Sequence, residues 1–166
     1  MRTIDLVAEP LSAEGFAPFG ALPPDEGDGR PTADLEFLQN DGWVNYIAHS
    51  LTEITVADGA FHCELVNRHD THTQTLMPTS GPAVIVVAPA EIGFTADGDL
   101  DTVRAFLVRQ HECFHLARGT WHWGPYPVGA DHVRIFNIQG RGYPQDNGIA
   151  WFSRDFDTVF VVHAQE

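Results

Sequence analysis

No lysine occurs in this sequence: its nine basic residues are all arginine, set against 23 carboxylates for a formal net charge of −14. Without an amine side chain there is no Schiff-base chemistry and no pyridoxal cofactor. Nucleic-acid binding is excluded as well, because affinity for phosphate backbones rests on a basic footprint that is missing here. An anionic small substrate must be held by arginine, a helix N-terminus or a metal. Cysteine is scarce, with only Cys63 and Cys113 and no C-x-x-C spacing. That excludes a disulfide framework and a structural zinc clasp, and both residues read as buried thiols. No run approaches the roughly 18 apolar residues that span a bilayer. The opening MRTIDLVAEPLS lacks the apolar stretch of a secretion signal. The absences predict a soluble, cytoplasmic protein that acts on a small anionic molecule without nucleic acid, membrane or nucleotide cofactor.

What is present is a chain of 166 residues with 43% apolar composition, enough for one well-buried core and short of two. A single domain over residues 1–166 is expected. The apolar residues come in short runs, AVIVVAPA (83–90), TVRAFLVR (102–109), HVRIFNIQ (132–139) and TVFVVHA (158–164). Such runs, broken by turn residues, are an all-β pattern. Turns are expected at Thr79-Ser80-Gly81-Pro82, Ala96-Asp97-Gly98-Asp99 and Gly124-Pro125, spacings suited to a sandwich or barrel. One short N-terminal helix is expected, capped by Ser12, running through Phe16 and Phe19 and ended by Gly20. Residues 23–34, PPDEGDGRPTAD, read as a mobile loop that could close over a site.

The stretch NRHDTHTQTLMPTSG (67–81) gathers two histidines and a glutamine ahead of a turn. Alternation along FHCELVNRH puts Phe61, Cys63, Leu65, Asn67 and His69 on one face and His62, Glu64, Val66 and Arg68 on the other. The first face turns polar at its end, as a strand does where it opens into a pocket. For a single histidine, burial against a backbone carbonyl is the simpler account. The neighbours argue for more: Asn67-x-His69-x4-Gln74-x6-Gly81 resembles the first motif of the cupins, and Ala117-x-Gly119-x2-His122 resembles the second. In a cupin these positions converge in one mouth of a double-stranded β-helix, a jelly-roll barrel, and bind a metal. The ligands would here be Asn67, His69, Gln74 and His122. Two imidazoles suit Ni, Zn or Mn, but two carboxamides leave the set without an anion, so a divalent metal is held weakly or not at all. His72 or Glu64 could compensate.

Within the cupins the chain resembles the ureidoglycolate lyase family. The resemblance is carried by PLSAEGFAPFGALPP (10–24), NRHDTHTQTLMP (67–78), VRAFLV (103–108), GTWHWGPYPV (119–128) and NIQGRGYPQDN (137–147), in matching order and spacing. It implies a cupin barrel, a homodimer, and cleavage of ureidoglycolate to glyoxylate and urea. Family members usually carry Glu at 67, His at 117 and a second His at 123. Asn67, Ala117 and Trp123 therefore alter the metal site and the pocket wall.

Such a cleavage asks for a base to take the hydroxyl proton, an acid for the departing nitrogen and a clamp for the carboxylate. His69 and His122 suit the proton transfers, and Arg68 or Arg104 the clamp, although Arg104 could equally be an exposed strand residue. Gln74, Trp121, Trp123 and Tyr126 are candidates for lining the substrate, the aromatics alternatively for packing. His111 and His115 share a face with Cys113 and read as surface or dimer-contact residues rather than a second metal site. Arg141 and Asp146 could form a lid or an ion pair. Two further readings remain open: another small-molecule cupin enzyme, such as an isomerase or dehydratase of a hydroxy acid, and a non-catalytic ligand-binding cupin.

Overall fold

The structure, a computed structural model, describes residues 1–24, 26–39 and 41–164. The chain opens with β1 (Arg2–Val7), β2 (Glu9–Pro10), the four-residue helix α1 (Ala13–Phe16) and β3 (Gly20–Ala21). Then come β4 (Gly42–Ser50), β5 (Thr55–Ala57), β6 (Ala60–Cys63), β7 (Leu65–Arg68), β8 (Gln74–Pro78), β9 (Ala83–Ala88) and β10 (Arg104–Val108). The last part holds β11 (Phe114–Leu116), β12 (Trp121–Pro127), β13 (His132–Gly140), β14 (Gly148–Trp151), α2 (Phe152–Asp155) and β15 (Thr158–His163). The expected all-β chain with a short N-terminal helix is what forms. No helix of the described residues is long and apolar enough to cross a membrane.

The strands make three sheets, ordered β14-β7-β12-β9-β10-β2, β3-β11-β8-β13-β4 and β1-β15-β6-β5. In the first two, β7-β12-β9-β10 faces β11-β8-β13-β4, the interleaved order of the jelly roll that cupins share. The third sheet covers the outer face of the first. This explains why AVIVVA in β9 is apolar without alternation: Ala83, Ile85 and Val87 enter the barrel core, while Val84, Val86 and Ala88 enter a second core shared with Phe61, Cys63, Phe152 and Phe160. A strand buried on both faces has no polar side to show.

The barrel interior is divided along its length. β13 carries Val133 and Ile135 in the apolar core, then Asn137 and Gln139, also buried but polar. β8 runs from Gln74 at the polar end to Leu76 at the apolar one. The apolar end is plugged by α1 and the residues after it. Ser12 Oγ caps the helix by accepting the Gly15 amide at 3.0 Å, and Phe16 meets Phe19, Phe106 and Phe114 with ring centroids 5.5–5.9 Å apart. Edge-to-face packing of this kind adds to the area it buries.

Several expectations are corrected. The helix ends at Phe16, and Gly20 instead opens β3, where a Cβ would lie 1.8 Å from the His115 carbonyl oxygen. Ala96–Asp99 is the start of a 3-10 helix over Asp97–Thr102, with Asp99 accepting the amides of Thr95 and Ala96. Gly124-Pro125 lies inside β12, at an irregularity in its register with β9 between Trp123 and Tyr126. His111 sits in a turn at positive φ and so shares no strand face with His115, which is buried in β11. The alternation along 61–69 breaks at Glu64, where the chain leaves the third sheet for the first: Phe61 and Cys63, then Val66, face the second core.

Replacing Phe16 with Ala should remove the centre of the aromatic plug. The expected loss is about 3–5 kcal/mol of folding stability, read from the urea unfolding midpoint.

Candidate active site

At the polar end the interior opens as a cavity of about 460 Å3, a size suited to a small ligand. Asn67, His69, Gln74 and His122 all line it, together with Trp123 and Tyr126. The fold brings these positions together by register. β12 pairs with β7 at His122 opposite Asn67, and β8 lies beside β13, with Leu76 opposite Asn137, so Gln74 projects next to Asn137 and Gln139.

Both imidazoles have one nitrogen fixed. His69 Nδ1–H donates to the Asp146 carbonyl, and His122 Nδ1–H donates to the Thr120 carbonyl at 3.0 Å. In each ring Nε2 is left with the lone pair. The Asn67 amide nitrogen donates to His122 Nε2 at 3.3 Å, so Asn67 acts here as that ring's hydrogen-bond partner and not as a fellow ligand. Gln74 Nε2 donates to Asn137 Oδ1 at 2.8 Å and to Gln139 Oε1 at 3.0 Å, and Asn137 passes the chain on to Asn45 Oδ1 at 2.9 Å. This holds the Gln74 amide in one orientation. Its Oε1 is buried without a hydrogen-bond partner among the described residues.

Electrostatics keep the imidazoles neutral. Burial, with His69 nearby, pushes His122 down from its ordinary 6.5 to about 3. Burial also lowers His69, against the opposing pull of the Asp146 carbonyl. Burial raises the Tyr126 hydroxyl to about 12. Asp146 is tied down: although burial acts to raise its carboxyl, the Thr71 hydroxyl and the amides of Asp70 and Thr71 donate to it and hold it below 3.8.

Other candidates lie elsewhere. Arg68 turns away from the cavity: it pairs with Asp70 at 3.1 Å and lies 4.4 Å over the Trp121 ring. Arg104 is bound to both carboxylate oxygens of Glu9, at 3.1 and 2.6 Å, and to the Gly15 carbonyl. Neither can serve as a clamp in this cavity, and no arginine is among its described lining residues. Trp121 is a core residue, packed on Phe94 with its Nε1–H on the Ile92 carbonyl. Ala117 lies beside Arg118 in a separate surface groove. His72 is buried with its ring stacked 4.6 Å from that of His69, and Glu64 belongs to a neighbouring groove. Arg141 lies over Trp43 and does not pair with Asp146. None of the described residues of 23–34 reaches the cavity, whereas Tyr143, Pro144 and Asn147 line it.

The sequence reading missed His49 and Glu53, which also line the cavity. The signal was present in SLTE (50–53), the S-x-x-E of a capping box. Ser50 Oγ accepts the Thr52 amide while Glu53 accepts the Ser50 amide, and this turns Glu53 back toward His49.

The depressed imidazoles have a consequence for folding. Between pH 6.5 and about 3 an unfolded His122 binds a proton that the folded one refuses. Stability should therefore be full above pH 6.5 and fall as pH drops through this window, by up to about 1.4 kcal/mol per unit. Denaturant melts at stepped pH values should show this slope, and His122→Gln should flatten it.

The ureidoglycolate lyase family model matches residues 3–158. A ureidoglycolate lyase of Chelativorans sp. (strain BNC1) is 28% identical, the alignment covering 97% of this chain and 98% of that protein. Those of Rhodobacter capsulatus and Pseudomonas paraeruginosa are each 32% identical, over 75% and 74% of this chain and 80% and 75% of theirs. With the match running through nearly every strand of the barrel and both histidine motifs, the chain belongs to the ureidoglycolate lyase family.

Proposed function

We propose that this protein cleaves ureidoglycolate to glyoxylate and urea in the cavity at the polar end of its barrel, as a cytoplasmic homodimer. The observation that carries the reading is the pair of imidazoles, His69 and His122, each fixed through Nδ1–H so that Nε2 keeps its lone pair in one polar cavity, in a chain of this family. Val44 and Tyr46, 60% and 58% exposed on the edge strand β4, support the dimer, since an exposed apolar edge favours pairing.

The chemistry follows from the donors. The substrate hydroxyl gives its proton to His69 Nε2, its electrons form the aldehyde carbonyl, and the C–N bond breaks toward nitrogen. His122 is neutral near pH 7, and its Nε2, which accepts from Asn67, holds that amide in the cavity wall beside the His69 ring. Gln139, Asn147 and Tyr143 bring hydrogen-bonding groups to the ureido and carboxylate ends. Trp123 and Tyr126, ring centroids 4.5 Å apart, form the apolar wall.

A divalent cation, Ni, Zn or Mn, fits the orphaned Gln74 Oε1 and the two Nε2 atoms by donor type, with weak affinity because no donor is anionic. Bound there, it would supply positive charge to the substrate's oxygens in place of proton acceptance by His69 Nε2, whose one lone pair it would occupy. The donor that Asn67 directs at His122 Nε2 competes with such binding.

Purified protein incubated with ureidoglycolate should release glyoxylate, and His69→Gln should lower kcat by roughly 10²–10⁴-fold. No glyoxylate from the wild type would overturn the reading. Asn67→Glu, which replaces the competing donor by an anion, should raise the metal content of the purified protein; an unchanged content would show that the Asn67 donor is not what limits metal binding there.

A further inference from the structure

The cavity holds a third imidazole in a different electrical setting. His49 leaves β4 at the cavity wall, and its Nδ1 lies 3.0 Å from Glu53 Oε2. The second oxygen of that carboxylate accepts the Ser50 amide at 3.1 Å, so Glu53 is held from both sides. The Tyr126 ring stands edge-on to His49 at 5.1 Å. His49 thus resembles His69, with Nδ1–H engaged and no hydrogen bond to Nε2 among the described residues, but its acceptor is a carboxylate where those of His69 and His122 are carbonyls. A carboxylate stabilises the imidazolium that forms on protonation, and a carbonyl does so far less.

The rest of the lining makes this difference matter. Among its described residues there is no lysine or arginine, and Glu53 is the one carboxylate. His69 and His122 are held neutral by burial, which suits proton acceptance and not donation. The cleavage needs a donor, because nitrogen leaving as an anion from a neutral urea is a poor leaving group.

We propose that His49, oriented by Glu53, is the catalytic acid that protonates the departing ureido nitrogen. This rests on the lyase reading of the same cavity. As the hydroxyl proton passes to His69, the oxygen's electron pair closes the new C=O bond and the C–N pair moves onto nitrogen. That nitrogen takes the proton from His49 Nε2, and urea departs neutral. One proton is taken up and one given, so exchange with water restores both rings without an outside reagent. Glu53 is the positioning residue.

The titratable groups facing His49 are Glu53 from the turn after β4, and Tyr126 and His122 from β12; opposite on β13 stands Val133. The test follows glyoxylate release by the wild type, His49→Gln, Glu53→Gln and Glu53→Asp. His49→Gln should lose at least about a hundredfold in kcat with KM changed by less than about threefold. Glu53→Gln should lower kcat at nearly unchanged KM, and Glu53→Asp, which keeps the carboxylate, should restore part of it, a rescue that a merely structural role would not produce. Active wild type with a His49→Gln variant of equal kcat overturns the proposal alone. A wild type that releases no glyoxylate overturns the lyase reading and the proposal with it.

Discussion

The site depends on a line of carboxamides. Asn45, Asn137, Gln74 and Gln139 come from three adjacent strands and hydrogen-bond in sequence across the barrel interior. Buried amides are costly unless their donors and acceptors are matched. Here the match is made sideways, from strand to strand, which lets the interior be polar at one end. The opposite end is closed by phenylalanine rings, so the sheets are held together where no chemistry occurs. This division gives the cavity rigid walls, as binding sites on a barrel need.

On that frame the imidazoles are distinguished by what their Nδ1–H meets. All three lining histidines are fixed through Nδ1, yet two rest on main-chain oxygens and one on a carboxylate. A carbonyl fixes a tautomer and little more, whereas a carboxylate also favours the charged ring. Identical side chains are thereby assigned opposite directions of proton flow, as enzymes separate acid from base by environment. The lack of lysine and arginine in the lining sharpens the separation, since no permanent cation competes with the ring that charges.

Much of this was legible in the sequence. The strands were, because apolar runs bounded by Gly and Pro admit few alternatives. His69, Gln74 and His122 were found by their resemblance to the two cupin motifs, and the strand register brings them to one cavity. What failed depended on distant partners. Arg104 looked unpaired until β2 brought Glu9 to it, and Arg68 looked free to clamp a carboxylate until the fold set it between Asp70 and the Trp121 ring. His49 lay in a strand whose inner face shows only once β13 pairs with it. The partners of a side chain are settled by topology, and topology is the part that local pattern encodes least.

The segment that lines the cavity through Tyr143, Pro144 and Asn147 also carries the Asp146 carbonyl that orients His69, anchored through its own side chain to Asp70 and Thr71. Wall and base-lock are therefore one mechanical part, and loosening that anchor would cost the ring its orientation along with the shape of the wall.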